Sequence, residues 1–556
     1  MSLSILGRNY LKTGAKECLI NKVLSLFFIL IFTSIASGCI LKYLKYDGWS
    51  IGDWLINYQG GFIRRGFLGE FFYQVSIYTH INPGFYVLLL QIFLYAIILY
   101  FSYCLLKNDK NLLSYIFLIF SPYIFTFHIY NDYGGIRKEI IFVAILVFIV
   151  YLANLKDDKV FEKYFYRILL FYPLVILTHE MLAVFLPYII AAYVIKNNGL
   201  TIEKSINIGL LLIPSIVSFI AVLYYSGNSL QVDEIFNSLA KANYPVEGGA
   251  IDWLDKGVSF GISALDHTLI DLSISDFLIM VLVSFIAYIP IYKKVSIIIK
   301  NKPAFGLVMT SIVGSLVLFF IAIDWGRFLY VHLIAFFLLS LLIESDENSF
   351  CIKNKLNVIP LLLLFIAYSS LWTVPFCCGP QTAYTKSYKE NNFFQFMYPS
   401  INLIIHFFPE KKFLFCASIF PLLNHCGSDA AALPSQVGSL LNKGRIARQG
   451  IDKQGYLTFG PYAKLLTGEY EFDVHYKSTL AATVNVGEWD VVISNGDDKI
   501  QALNTGKITG TDGLEKHIVK RFIVPKEFSG KNIEIRNFYN GKGDLIIYYL
   551  GIRKID

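Results

Sequence analysis

Apolar runs of spanning length recur along most of this chain, and they limit what it can fold into more than any other feature. About 17–25 apolar residues in a helix match the hydrocarbon thickness of a bilayer. Such runs fall near 23–43, 84–106, 111–128, 138–154, 166–178, 181–195, 206–226, 275–293, 304–323, 327–344 and 357–374. They predict a polytopic α-helical membrane protein with about 11 transmembrane helices over residues 1–374. Only 16% of the 556 residues are charged and 55% are hydrophobic, whereas a soluble domain is roughly a quarter charged. The net charge of +7 includes no Lys/Arg block long enough for a nucleic-acid tail. The bilayer is therefore the expected partner, and nucleic acid is not.

The loops between these runs form two sets. One reads KNDKN, KDDKVFEKYFYR, KNNGLTIEK, YKKVSIIIKNK and ESDENSFCIKNK. It is rich in Lys and plain in pattern, as cytoplasmic loops are. The other reads DGWSIGDWLINYQGGFIRRGFLGE, HIYNDYGGIRKE, THE, a long segment near 227–274, and DWGRF. It mixes acids, arginines, histidines, glycines and aromatics. The sets alternate, which places every chemically rich loop on one side. Arg8, Lys12, Lys16 and Lys22 precede the first run, and no small-residue cleavage site is clear within it. The expected topology has a retained first helix and a cytoplasmic N-terminus, in the inner membrane of a bacterium, with the rich loops in the periplasm.

Residues 375–432 read as an interfacial or linking segment. From about Leu433 short alternating runs take over, with Asn-Gly pairs between them. Residues 433–556 are expected to form a periplasmic antiparallel β-sandwich or jelly roll. Trp489, Tyr462 and Tyr539 are candidates either for stacking on sugar rings or for the core of that domain.

Ionisable groups at membrane depth are costly and usually mark a functional site. Here they recur at the outer ends of helices from distant parts of the chain. Asp53 and, behind it, Asp47 are candidate bases in the first outer loop, or loop caps. Arg64 and Arg65 offer guanidinium forks suited to a lipid phosphate, or to anchoring on headgroups. Gly60, Gly61 and Gly66 shape that loop, and Glu70 follows it. Asp132 is the second candidate base. Arg137 and Lys138 suit a second anionic group, or an ion-paired cap with Glu139. His128, His179 and Glu180 are further substrate-binding candidates. So are Asp324 and Arg327, which one helical turn also allows to pair with each other.

Acids, arginines and aromatics on the outer face, with no cytoplasmic phosphate loop, suit a donor that arrives through the membrane. An undecaprenyl-linked sugar donor has a phosphate for the arginines, a tail for a groove between helices and a sugar for aromatic walls. A carboxylate would deprotonate the hydroxyl of a glycan acceptor, and attack at the anomeric carbon would invert it. The spans, the acidic first outer loop with Asp47 and Asp53, the long segment near 227–274 and the C-terminal domain together resemble the GT-C superfamily of polyprenyl-linked glycosyltransferases. That resemblance implies Asp53 as base or metal ligand. No paired-acid motif accompanies it, which leaves metal dependence open: no cofactor is called for by the motifs, and a divalent metal is the alternative. The stretch GYLTFGPYAKLLTGEYEFDVHY looks like β-sandwich modules attached to bacterial surface-polysaccharide enzymes. Three rivals stand beside the transferase. One is an O-antigen polymerase joining polyprenyl-diphosphate-linked repeat units. Another is a flippase or transporter of lipid-linked oligosaccharides, and the third is a non-catalytic glycan-binding assembly protein.

Overall fold

The computed structural model describes residues 3–344 and 425–555, apart from 110–111, 132–135, 156, 258, 264–273, 323, 442–443, 495–499 and 530. Between 345 and 424 it describes only 368, 397, 399–400 and 403. The chain divides into two compact units, Met1–Ser400 and Ile401–Asp556. The expected boundary at 374 falls among residues that are not described.

The first unit is helical. Its early helices are α1 (Leu3–Leu44), α2 (Phe67–Thr79) and α3 (Pro83–Lys107). Helices Glu139–Asn154, Asp158–Thr178, Leu182–Lys196, Ile202–Tyr224, Lys302–Ile321 and Trp325–Ser340 follow, with shorter ones between. Local sequence sets their starts. The Asn82 side chain accepts from the Phe85 N–H and Pro83 opens α3. Asp157, Thr201 and Asn301 cap the helices after them in the same way. Such caps satisfy N–H groups that have no partner within the helix.

Four described segments are long and apolar enough to cross a membrane: Asn21–Leu44, Pro83–Lys107, Ile202–Tyr224 and Lys302–Ile321. That is fewer than the eleven runs predict, for three physical reasons. Helices 139–154, 182–196 and 325–340 are apolar but shorter, and the run near 275–293 is an α-helix only over Ile274–Ile286. Helix 158–178 opens with a polar first half, DKVFEKYFYR. The run 111–128 is not one helix. It breaks into single turns at Leu112–Tyr115, Ile116–Ile119 and Phe127–Tyr130. Pro122 lies within it and disfavours helical backbone at the residue before it. Tyr115, Leu118, Tyr123, Ile124 and Phe127 are all fully buried, so protein rather than the surroundings encloses the broken backbone. The run near 357–374 lies outside the described residues, except for Tyr368.

Helix 139–154 is the centre of this unit, with Phe142, Val143, Leu146, Val147, Ile149 and Val150 buried. By contrast, helix 202–224 exposes Ile206, Leu210, Ile213, Val217 and Ile220.

The second unit is antiparallel β. Its strands are β1 (His425–Asp429), β2 (Ser439–Leu441), β3 (Gly444–Ala447), β4 (Gly455–Thr458), β5 (Pro461–Lys464), β6 (Gly468–Ser478), β7 (Asn485–Ser494), β8 (Ile500–Thr509), β9 (Glu515–Val524), β10 (Asn532–Tyr539) and β11 (Leu545–Ile555). One sheet runs β2-β3-β11-β6-β9, with β1 also on β11. The other runs β4-β10-β7-β8, with β5 on β10. Tyr470, Phe472, Val474 and Tyr476 of β6 share one buried cluster with Trp489, Val491 and Ile493 of β7. Their alternation follows the two-residue period of a strand. Trp489 and Tyr539 belong to that cluster, which corrects their candidacy as sugar-stacking residues. Turn Asn540-Gly541 links β10 to β11, which lie in different sheets, so it is a crossing and not a hairpin.

Candidate functional site

The first loop after α1 is held by its own turn chemistry. Asp47 accepts from the N–H groups of Trp49 and Ser50 and pairs with Lys42 at 3.3 Å. It is a cap of the turn. A short 3-10 turn, Gly52–Leu55, then carries Asp53 inward. Ile51, Trp54, Leu55 and Ile56 are fully buried around it, and the Trp54 indole donates to the Ile136 carbonyl at 3.4 Å. Apolar anchoring on both sides holds the Asp53 carboxylate fully buried.

Around that carboxylate the fold gathers side chains from four separate loops. Arg137 Nε lies 3.4 Å from Asp53 Oδ2, and Lys138 Nζ lies 3.8 Å from Oδ1. Lys138 also donates to the carbonyl of Arg65 at 3.1 Å, which ties the RKE loop to the first loop. The Arg137 guanidinium sits over the Trp49 ring at 5.3 Å. Arg65 has a left-handed backbone, φ 67°, and its guanidinium forks onto Glu180, with Nε 2.9 and 3.0 Å from the two oxygens. Arg64 donates to the Trp253 carbonyl at 3.2 Å and lies 3.9 Å from Glu180. Gly61, at φ 105°, makes the turn that presents both arginines.

His179 and Glu139 complete the cluster. His179 Nδ1 accepts from the Met181 N–H at 3.2 Å, which leaves the proton of a neutral ring on Nε2, 3.9 Å from Glu139 Oε1. Glu139 also lies 3.0 Å from Arg327 Nε, and Arg327 reaches Asp324 at 3.2 Å. Arg327 and Asp324 thus pair across one turn, and Glu139 joins them to the rest.

Two expected members stand apart. Glu70 accepts from the Tyr58 N–H and from the side chains of Gln59 and Gln74, so it braces the loop. His128 is bonded between the hydroxyls of Tyr95 (3.0 Å) and Tyr330 (2.8 Å). Asp132 lies outside the described residues. Glu139, Trp49 and Trp253 were not among the residues singled out as site candidates. Glu139 was legible as the last residue of RKE, whereas Trp253 joins from a loop nearly 190 residues after Arg64 and left no sequence signal.

Five cationic side chains (Arg64, Arg65, Arg137, Lys138 and Arg327) face four carboxylates (Asp53, Glu139, Glu180 and Asp324). Burial pushes the Asp53 carboxyl up, but Lys138 and Arg137 outweigh it and hold the group well below the usual carboxylate range. Burial likewise raises Glu180, and Arg65 more than reverses that. Burial lowers Lys138 to about 8 against the pull of Asp53. Burial and Arg65 drive His179 well below its ordinary value, so it is uncharged at neutral pH. The result at neutral pH is an ionised, buried Asp53 with two cations beside it. Yet neither of its oxygens accepts a hydrogen bond from a described residue. Buried carboxylates ordinarily satisfy their lone pairs, and those that do not are candidates for a functional role. Comparison with family models, curated proteins and solved structures finds no match for this chain.

Proposed function

We propose that this chain is a membrane glycosyltransferase that moves a sugar from an undecaprenyl-phosphate donor to a periplasmic glycan acceptor. The observation that carries the reading is the Asp53 carboxylate: buried, ionised, flanked by Arg137 and Lys138, and with no hydrogen-bond donor among the described residues on either oxygen. Its lone pairs face no competing donor, and an anionic phosphate drawing Arg137 and Lys138 toward itself would strengthen Asp53 as the base for an incoming hydroxyl. In the proposed step the acceptor O–H gives its proton to Asp53 while its oxygen bonds to the anomeric carbon. The bond from that carbon to the phosphate oxygen breaks, and the pair leaves with undecaprenyl phosphate. Inversion follows from direct attack.

The geometry refines the phosphate clamp. Arg65 is committed to Glu180, so it acts as a positioning residue that fixes the loop. Arg64 Nε has no hydrogen-bond partner among the described residues, and Arg64, with Arg137 and Lys138, is the group that would meet the phosphate. Preorganised cations stabilise a departing phosphate without reorganising. A membrane setting is supported by the four segments of spanning length and by the apolar surface of helix 202–224. On this reading the charged end faces the periplasm, and the two-sheet unit is a periplasmic β-sandwich.

The test is complementation of a deletion strain with wild-type or Asp53→Asn protein, followed by analysis of surface glycan. Loss of the base is expected to lower transfer by about 10²–10⁴, with the variant still present in the membrane at normal level. Normal glycan with Asp53→Asn would overturn the role of Asp53. Accumulation of single unpolymerised repeats in the deletion strain would instead identify a polymerase of repeat units.

A further inference from the structure

The outer face of the sheet that contains β6 and β9 carries a second concentration of chemistry. Residues 470, 472, 474 and 476 of β6 point into the core, so 471, 473, 475 and 477 point away from it. His475 sits directly opposite His517 of β9 in the antiparallel register. Asp473 is two residues along β6 on the same face. The nearest atoms of the three side chains lie within 4.8 Å of one another. His475 Nε2 is 3.0 Å from Asp473 Oδ2, and His517 Nδ1 is 3.5 Å from Asp473 Oδ1. The two imidazole rings lie against each other with centroids 3.8 Å apart.

Two nearby carboxylates are accounted for differently. Glu471 on the same face is held by Arg553 and Arg521. Asp473 has no arginine or lysine within ion-pairing distance among the described residues. Its Oδ1 is shielded from solvent and accepts no hydrogen bond from a described residue.

We infer that Asp473, His475 and His517 form a binding site for one late first-row divalent cation of the zinc class. Two imidazoles and one carboxylate are a donor set that suits zinc and its neighbours and not calcium or magnesium. Tetrahedral bonds of about 2.0–2.1 Å place ligand atoms about 3.4 Å apart. The two His–Asp separations, 3.0 and 3.5 Å to different carboxylate oxygens, lie close to that spacing. Three protein ligands leave a fourth position for water or for an oxygen of a bound molecule. The site joins β9, the edge of its sheet, to its neighbour β6. A bound ion would cross-link that edge and raise the stability of the unit by mass action.

The test uses the full chain in detergent, with Zn²⁺ as the probe and Mg²⁺ and Ca²⁺ as competitors. Direct titration is expected to show a Zn²⁺ site that the hard cations do not displace. The His475→Ala/His517→Ala double variant should lose it, with at least about a hundredfold weaker binding on that component. Added Zn²⁺ should raise the melting midpoint of the wild type and not of the double variant. His517→Cys, which keeps a ligand of suitable softness, should restore binding. Substituting Co²⁺ for Zn²⁺ in the wild type should give the absorption bands of a tetrahedral site, and these should be absent in the double variant. The chain has other histidines and cysteines, so the difference between variants decides the matter. Equal Zn²⁺ binding by wild type and double variant, both folded by circular dichroism, would overturn the site. So would displacement of Zn²⁺ by equimolar Mg²⁺.

Discussion

At the scale of single residues, Lys138 is where the candidate site should reveal itself in solution. Its ammonium lies between the Asp53 carboxylate and the Arg65 carbonyl, and burial lowers it to about 8. If it helps to hold a departing phosphate, activity should fall as pH rises through that value, because the cation is being lost. Stability should move the other way. The folded form gives up the Lys138 proton near 8 and the unfolded form near 10.5. Between those values the unfolded state therefore binds more protons, and this group's contribution to stability rises with pH. A decline in activity without a decline in melting midpoint separates loss of the cation from alkaline unfolding. Lys138→Arg keeps its charge throughout this range. Its normalised activity profile should lack the alkaline limb seen for the wild type. Identical limbs in the two proteins would remove Lys138 from the mechanism.

Between residue and molecule, the first loop and α2 show how packing fixes the site. Gly69 lies inside α2, where alanine would ordinarily stabilise a helix by up to about 1 kcal/mol. A Cβ there would sit 1.9 Å from the Ile56 carbonyl oxygen, on the segment that follows Asp53. Backbone cannot yield as a flexible side chain does, and such overpacking typically costs about 1–3 kcal/mol. Gly69→Ala is expected to lower stability by about 1–2 kcal/mol net, read as a fall in melting midpoint, and to reduce activity by shifting the loop. A stabilised Gly69→Ala protein would show that α2 does not pack on this loop. Elements of this kind were partly legible in the sequence. Helix starts at Asn82, Asp157 and Thr201 follow from capping chemistry, and most apolar runs became helices. The run 111–128 did not, because hydropathy reports burial and cannot distinguish lipid from protein as the surrounding medium. The pairing of Arg65 with Glu180, 115 positions apart, was not legible either. Sequence gave both residues as site candidates, but only the fold commits one to the other and leaves Arg64 the freer arginine.

For the helical unit as a whole, the two loop sets separate to opposite ends of the helices. Glu139, His179 and Arg327 stand at one end with the first loop. At the far ends of the same or neighbouring helices are Lys294 with Asp109, Lys196 with Asp158, and Lys204 with Glu162. A helix of 25 residues such as α3 separates its ends by about 37 Å, enough to cross a hydrocarbon core of about 30 Å. The lysine-rich end should therefore be cytoplasmic and the Asp53 end periplasmic. Alkaline phosphatase needs its disulfides and so is active only outside the cytoplasm. Fused after Gly199, in the turn between helices 182–196 and 202–224, it should be inactive. Fused after Gly257, in the segment that supplies Trp253 to the charged end, it should be active. The reverse pattern would place Asp53 in the cytoplasm, where a donor displayed in the outer leaflet could not reach it, and the proposed transferase would fail together with its topology.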